Sequence, residues 1–82
     1  MLKKHVFPIA TIYVPSRRAK SLEPEKVGQI AESILAEGQN NPILVRADVD
    51  RFVLIEGLHR LEALRALGED TVEAYIVQAR KH

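Results

Sequence analysis

The strongest constraint on the fold is the join Glu56-Gly57-Leu58-His59-Arg60, where the apolar run Arg51-Phe-Val-Leu-Ile-Glu56 passes straight into an Ala/Leu-rich stretch, Leu58 to Leu67. The first run has the composition of a strand and the second the spacing of a helix. A strand that turns directly into a helix needs a residue with no Cβ at the bend, and Gly57 supplies it. The same bend aims the unpaired N–H groups of the first helical turn at whatever lies above the join. The helix dipole and Arg60 add positive potential there, so the join reads as a small anion site suited to phosphate.

The rest of the chain arranges itself around that join. Val6 to Val14 is rich in β-branched residues and reads as a strand with Pro8 near its start. Pro15-Ser16-Arg17-Arg18-Ala19-Lys20 reads as a polar, basic connection. A helix begins near Glu23-Pro24, with the proline at its first position, where a missing N–H costs nothing. Val27, Ile30, Ala31, Ile34 and Leu35 recur at helical spacing, and Gly38 is the natural stop. After Pro42, Ile43 to Ala47 and Arg51 to Glu56 form two strands joined by Asp48-Val49-Asp50, a hairpin. Leu58, Leu61, Leu64 and Leu67 line the second helix, with Ala63 and Ala66 flanking them, and Gly68 closes it. Thr71 to Val77 is the last strand. The expectation is an α+β fold over residues 1–82: one small mixed β-sheet with two main helices, in the order β-α-β-β-α-β.

Composition limits what such a domain can be. Its 82 residues suffice for one domain, and with two Phe, two Tyr and no Trp the core must be aliphatic. Stability on the order of 5 kcal/mol is expected for that size. No cysteine is present, which excludes disulfides and thiolate chemistry. A net charge of +1, with the signs interspersed, implies weak affinity for free DNA. Basic residues gather only at the ends, Lys3-Lys4-His5 and Arg80-Lys81-His82, which read as solvated tails. No apolar segment follows Lys3 and Lys4 as in a secretion signal, and no run reaches membrane-spanning length, so a cytoplasmic protein is expected. Met1 and the basic end at His82 read as the limits of a complete small gene product.

Each candidate residue has a chemical reading and a plainer one. Arg60 clamps a phosphate through two N–H groups, or it pairs with Glu56 or Glu62. His59 contacts phosphate or moves a proton, or it makes a backbone hydrogen bond that caps the strand end. Glu56 is a general base or holds magnesium through a phosphate, or it is a solvent-facing strand end. Arg17 and Arg18 reach the same phosphates from the first connection, or they are solvated. No second histidine or carboxylate stands at ligand spacing beside His59, so no metal site is expected.

This pattern resembles the N-terminal domain of ParB-type partition proteins and the related sulfiredoxin fold. The likeness runs from about Ile9 to Val77. It rests on the arginine after the first strand, the helix Val27-Gly-Gln-Ile-Ala-Glu-Ser-Ile34, Gly38 with Pro42, the Pro-Ile-Leu-Val strand, the Gly57 join and Leu61-Glu-Ala-Leu-Arg-Ala-Leu-Gly68. ParB proteins read Gly-Glu-Arg-Arg at the join, where it helps hold the triphosphate of CTP. Gly57 and Arg60 match, while Leu58 and His59 depart. Sulfiredoxins read Gly-Gly-Cys-His-Arg, so Leu58 stands at their catalytic cysteine and that activity is excluded. A free-serine kinase branch reads Asp-Gly-His-His-Arg, similar to Glu56-Gly57-Leu58-His59-Arg60.

The resemblance implies a nucleotide ligand, CTP or ATP/ADP with magnesium, held by Gly57, His59, Arg60, Arg17 and Arg18. It also brings in Gln39 and Asn40 on the loop that walls the fold's nucleotide pocket. Glu56 is the expected catalytic residue if there is one. The expected setting is bacterial plasmid or chromosome partition, or another DNA transaction. There the chain acts as a stand-alone module without its own DNA-reading helix-turn-helix, meeting DNA or protein through a larger complex, as a monomer or weak homodimer. Two alternatives stand beside it: a magnesium-dependent small-molecule kinase or weak nuclease using Glu56, and a catalytically silent protein-interaction module.

Overall fold

The computed structural model describes residues 3–38 and 41–78. Its first strand is not the single run expected from residues 6–14. β1 (Lys4–Pro8) ends at the proline, Ile9–Thr11 makes a 3-10 turn, and β2 (Ile12–Tyr13) follows. Proline has no N–H to continue a ladder. The turn is then pinned from both sides: Thr11 Oγ1 donates to the Pro8 carbonyl at 2.8 Å, and the Ile9 N–H donates to the Asp70 carbonyl at 2.8 Å. It places Ile9 and Ile12, three residues apart, together in the core. A continuous strand would have sent them to opposite faces. The basic connection also differs from expectation, because Ser16–Ala19 closes a one-turn helix, α1, on the Pro15 carbonyl.

From Glu23 onward the elements fall where the sequence puts them. α2 (Pro24–Glu37) starts on its proline and stops at Gly38, whose φ of 87° suits only glycine well and whose N–H closes on the Ile34 carbonyl at 2.7 Å. Ile34 is buried, and Val27, Ile30 and Ala31 pack beside it. Leu35 does not join them and is 74% exposed. Eight residues past Val27, it is rotated about 80° off that line. β3 (Ile43–Ala47) and β4 (Phe52–Glu56) pair antiparallel. The Asp48 carboxylate ties their turn by accepting from the Val49 N–H at 2.9 Å and Arg51 Nε at 3.2 Å. α3 (Leu58–Ala66) buries Leu58, Leu61, Ala63 and Leu64, while Ala66 faces out. β5 (Thr71–Ile76) completes the fold.

The five strands form one mixed sheet in the order β1-β5-β3-β4-β2. β1 pairs antiparallel with β5, β5 parallel with β3, and β4 parallel with β2, so β1 and β2 lie on opposite edges. α2 and α3 pack against each other and against the face carrying Ile43, Val45, Leu54, Val72 and Ala74. The alternate residues Leu44, Arg46, Val53 and Tyr75 point to the other face. No helix among the described residues is long and apolar enough to cross a membrane.

Candidate functional site

The join is built by close approach. Gly57 caps α3 at φ 111°, ψ 27°, and no side chain caps the helix. A Cβ on Gly57 would stand 2.5 Å from Ile43 Cγ2 and 2.9 Å from Ile43 Cβ, so the first residue of β3 occupies the space any side chain would need. The first intrahelical bond runs from the Leu61 N–H to the Gly57 carbonyl at 2.9 Å. The amides of Leu58, His59 and Arg60 precede it and have no acceptor within the helix. Leu58 turns into the core at 6% exposure, which leaves His59 and Arg60 half-buried on the side of α1 and α2.

They line an open cleft of about 550 Å³ whose other polar walls are Arg18, Ser21, Lys26 and Gln29. Arg18, Lys26 and Arg60 make it cationic, and among the described residues no carboxylate lines it. Arg60 Nη1 is buried and has no hydrogen-bond partner among the described residues. The pairing with Glu62 is not made, since Glu62 Oε1 lies 3.5 Å from Arg65 Nε instead. A guanidinium N–H shut off from water without an acceptor is costly, and an incoming anion would relieve that cost. The His59 ring is already engaged, its Nε2 accepting from the Glu23 N–H at 2.9 Å. The accepting nitrogen carries no proton, so the proton of the neutral ring sits on Nδ1. This bond fastens the start of α3 to the start of α2, where Lys26 Nζ also lies 3.1 Å from Glu23 Oε2.

The structure therefore brings together Gly57, His59, Arg60 and Arg18 of the expected residues. Glu56 is exposed at the end of β4 and does not line the cleft. Arg17 lines a different cleft, on the other side of α1. Gln39 and Asn40 lie outside the described residues. Ser21, Lys26 and Gln29 were not anticipated. Lys26 and Gln29 stand three apart beside the apolar stripe of α2, and that spacing was the signal available for them. Among the described residues no three His, Cys, Asp or Glu side chains cluster to hold a metal ion.

Known proteins share both the sequence and the geometry. The chain is 36% identical over 62 residues to the probable chromosome-partitioning protein ParB of Campylobacter jejuni, an alignment covering 76% of this chain and 22% of the relative. It thus spans about a quarter of the length of the curated relatives it matches. Among solved structures, sulfiredoxin from Arabidopsis thaliana superposes with a TM-score of 0.83 at 28% identity, covering 94% of this chain and 86% of that one. C-terminally truncated ParB from Caulobacter crescentus complexed with CTP-γ-S superposes at 0.79 with 22% identity, covering 96% and 46%, a likeness of fold. Residues 4–82 match the family model of the ParB N-terminal domain. With that match over nearly its whole length and the ParB sheet and helix arrangement around the Gly57 join, the chain belongs to the ParB N-terminal domain family.

Proposed function

We propose that this domain binds a nucleoside triphosphate, CTP in the first instance, by its phosphates at the start of α3, and that it serves in chromosome or plasmid partition. One observation carries the reading: Arg60, whose Nη1 is buried with no hydrogen-bond partner among the described residues, lines the cleft at the α3 first turn, where the helix amides are free. Those amides and the helix dipole receive the phosphate oxygens, Arg60 donates to them from the side, and Arg18 and Lys26 neutralise the outer charge. The CTP-γ-S bound to the structurally similar Caulobacter ParB, and the partition role of the Campylobacter relative, support the ligand and the setting. Magnesium bound with the nucleotide would neutralise part of the phosphate charge. The reading is binding without turnover, because Glu56, the one carboxylate with a proposed chemical role, stands outside the cleft lining.

The test is an amide NMR titration with CTP, ATP, ADP and inorganic phosphate, with and without magnesium. Shifts concentrated at Gly57 to Leu61, strongest with CTP and lost in Arg60→Ala, are expected. Equal responses of Arg60→Ala and the wild type would overturn the site, and a stronger response to ATP would overturn the preference for CTP.

A further inference from the structure

A second cationic cleft opens where β2 gives way to α1. It has a volume of about 420 Å³ and is lined by Arg17 and Arg18 of α1, Arg46 of β3 and Tyr13 of β2, over a floor of Val53 and Ile55 from β4. Arg46 and Val53 are register partners, and Tyr13 is the register partner of Val53 on the next strand. The cleft therefore lies on the sheet face away from α2 and α3. No carboxylate among the described residues lines it. Among the described residues none of the three guanidiniums forms an ion pair or side-chain hydrogen bond. The nearby Asp48 feels the charge of Arg46 but is tied to Val49 and Arg51. Arg51 in turn stacks its guanidinium 3.9 Å above the Tyr13 ring while its charge is paired with Asp48. In a chain of net charge +1, this is a marked local excess of positive charge.

We propose that this cleft binds single-stranded nucleic acid, with Arg17, Arg18 and Arg46 meeting the phosphates and the partly exposed Tyr13 ring, covered on one face by Arg51, offering its remaining surface to a base. A cationic groove with an aromatic platform over apolar floor residues is the chemistry that holds an unpaired strand without reading its sequence. Charge complementarity favours a polyanion, and the concave shape admits a single strand rather than the convex side of a duplex. The site does not depend on the α3 cleft, although Arg18 lines both and would let a strand pass from one to the other.

The experiment is an amide NMR and fluorescence titration of the full chain with an oligothymidylate, its duplex with oligoadenylate, inorganic phosphate and CTP. The oligothymidylate should shift Tyr13, Arg17, Arg46 and Val53, and saturating CTP should not reverse those shifts. Three phosphate contacts should weaken single-strand binding about 20-fold for a fourfold rise in salt, and about 3-fold in the double variant Arg17→Gln/Arg46→Gln. Arg17→Gln alone, on an exposed one-turn helix, should lower the salt dependence in the same direction without touching the core. Shifts confined to Gly57 to Leu61, an unchanged salt dependence in the variants, tighter binding of the duplex, or inorganic phosphate binding as tightly as the oligonucleotide would each overturn the proposal.

Discussion

Replacing Gly57 with alanine tests the close packing that creates the join, and a second glycine in the same chain supplies the control. Gly68 also has positive φ, at 79°, but a Cβ there would meet nothing within 4 Å. Gly68→Ala therefore carries only dihedral strain, about 1–2 kcal/mol. A less flexible unfolded chain offsets part of this, by about 0.4–1 kcal/mol. Gly57→Ala carries at least that strain, since φ 111° lies farther from the left-handed well, with the same offset, and adds an overlap, its Cβ falling 2.5 Å from Ile43 Cγ2 and 3.2 Å from Ile43 Cα. Ile43 is 1% exposed and cannot move aside without disturbing the core. Forcing an extra methyl into such a site costs about 1–3 kcal/mol. The net loss for Gly57→Ala is then about 3 kcal/mol, against about 1 kcal/mol or less for Gly68→Ala. Of a total stability near 5 kcal/mol this is more than half. Urea denaturation followed by far-UV circular dichroism reads both values. Adding Ile43→Ala should recover about 1 kcal/mol of coupling with Gly57→Ala and none with Gly68→Ala. Equal losses at the two glycines would refute the packing argument.

Arg60→Met keeps the aliphatic stem but removes the unpartnered Nη1, so stability should stay level or rise while the CTP response in NMR disappears. His59→Ala strips the acceptor from the Glu23 N–H, and should cost about 1 kcal/mol with faster hydrogen exchange at the Glu23 amide. The Val49 N–H, then Arg51, hold the Asp48 carboxyl below its ordinary value of 3.8. A depressed folded pKa means that Asp48 stabilises the fold above pH 3.8 and that this contribution fades as pH falls through the lower folded value. The stability gap between wild type and Asp48→Asn should accordingly be present at neutral pH and close in acid, and a gap that persisted in acid would refute the assignment.

The candidate site was half legible in the sequence. Gly57 and Arg60 could be placed because a strand-to-helix join is a local event, set by one glycine and the residues of one helical turn. His59 could be singled out but not assigned, since its partner, the Glu23 N–H, lies 36 residues away. Arg17 and Arg18 looked equivalent as neighbours. The one turn of α1 separates them, so that both line the open-face cleft but only Arg18 also reaches the α3 cleft. The polar residues of α2 at the site are visible only once α2 is laid against α3.

By itself the sequence determined the elements whose signals are local: α2 between Pro24 and Gly38, the β3–β4 hairpin, α3 with its leucine face, and the glycine join. Proline, glycine and hydrophobic period act within a turn or two, and no distant contact is needed to read them. Only the tertiary structure decided that the run from Val6 to Val14 breaks at Ile9. A continuous β-rich stretch is satisfied equally well as one strand, until the Asp70 carbonyl takes the Ile9 N–H and the core takes Ile9 and Ile12 together. That break sends β1 and β2 to opposite edges of the sheet. It also sets α1 down between the two cationic clefts, a placement that depends on strand pairings far apart in the chain.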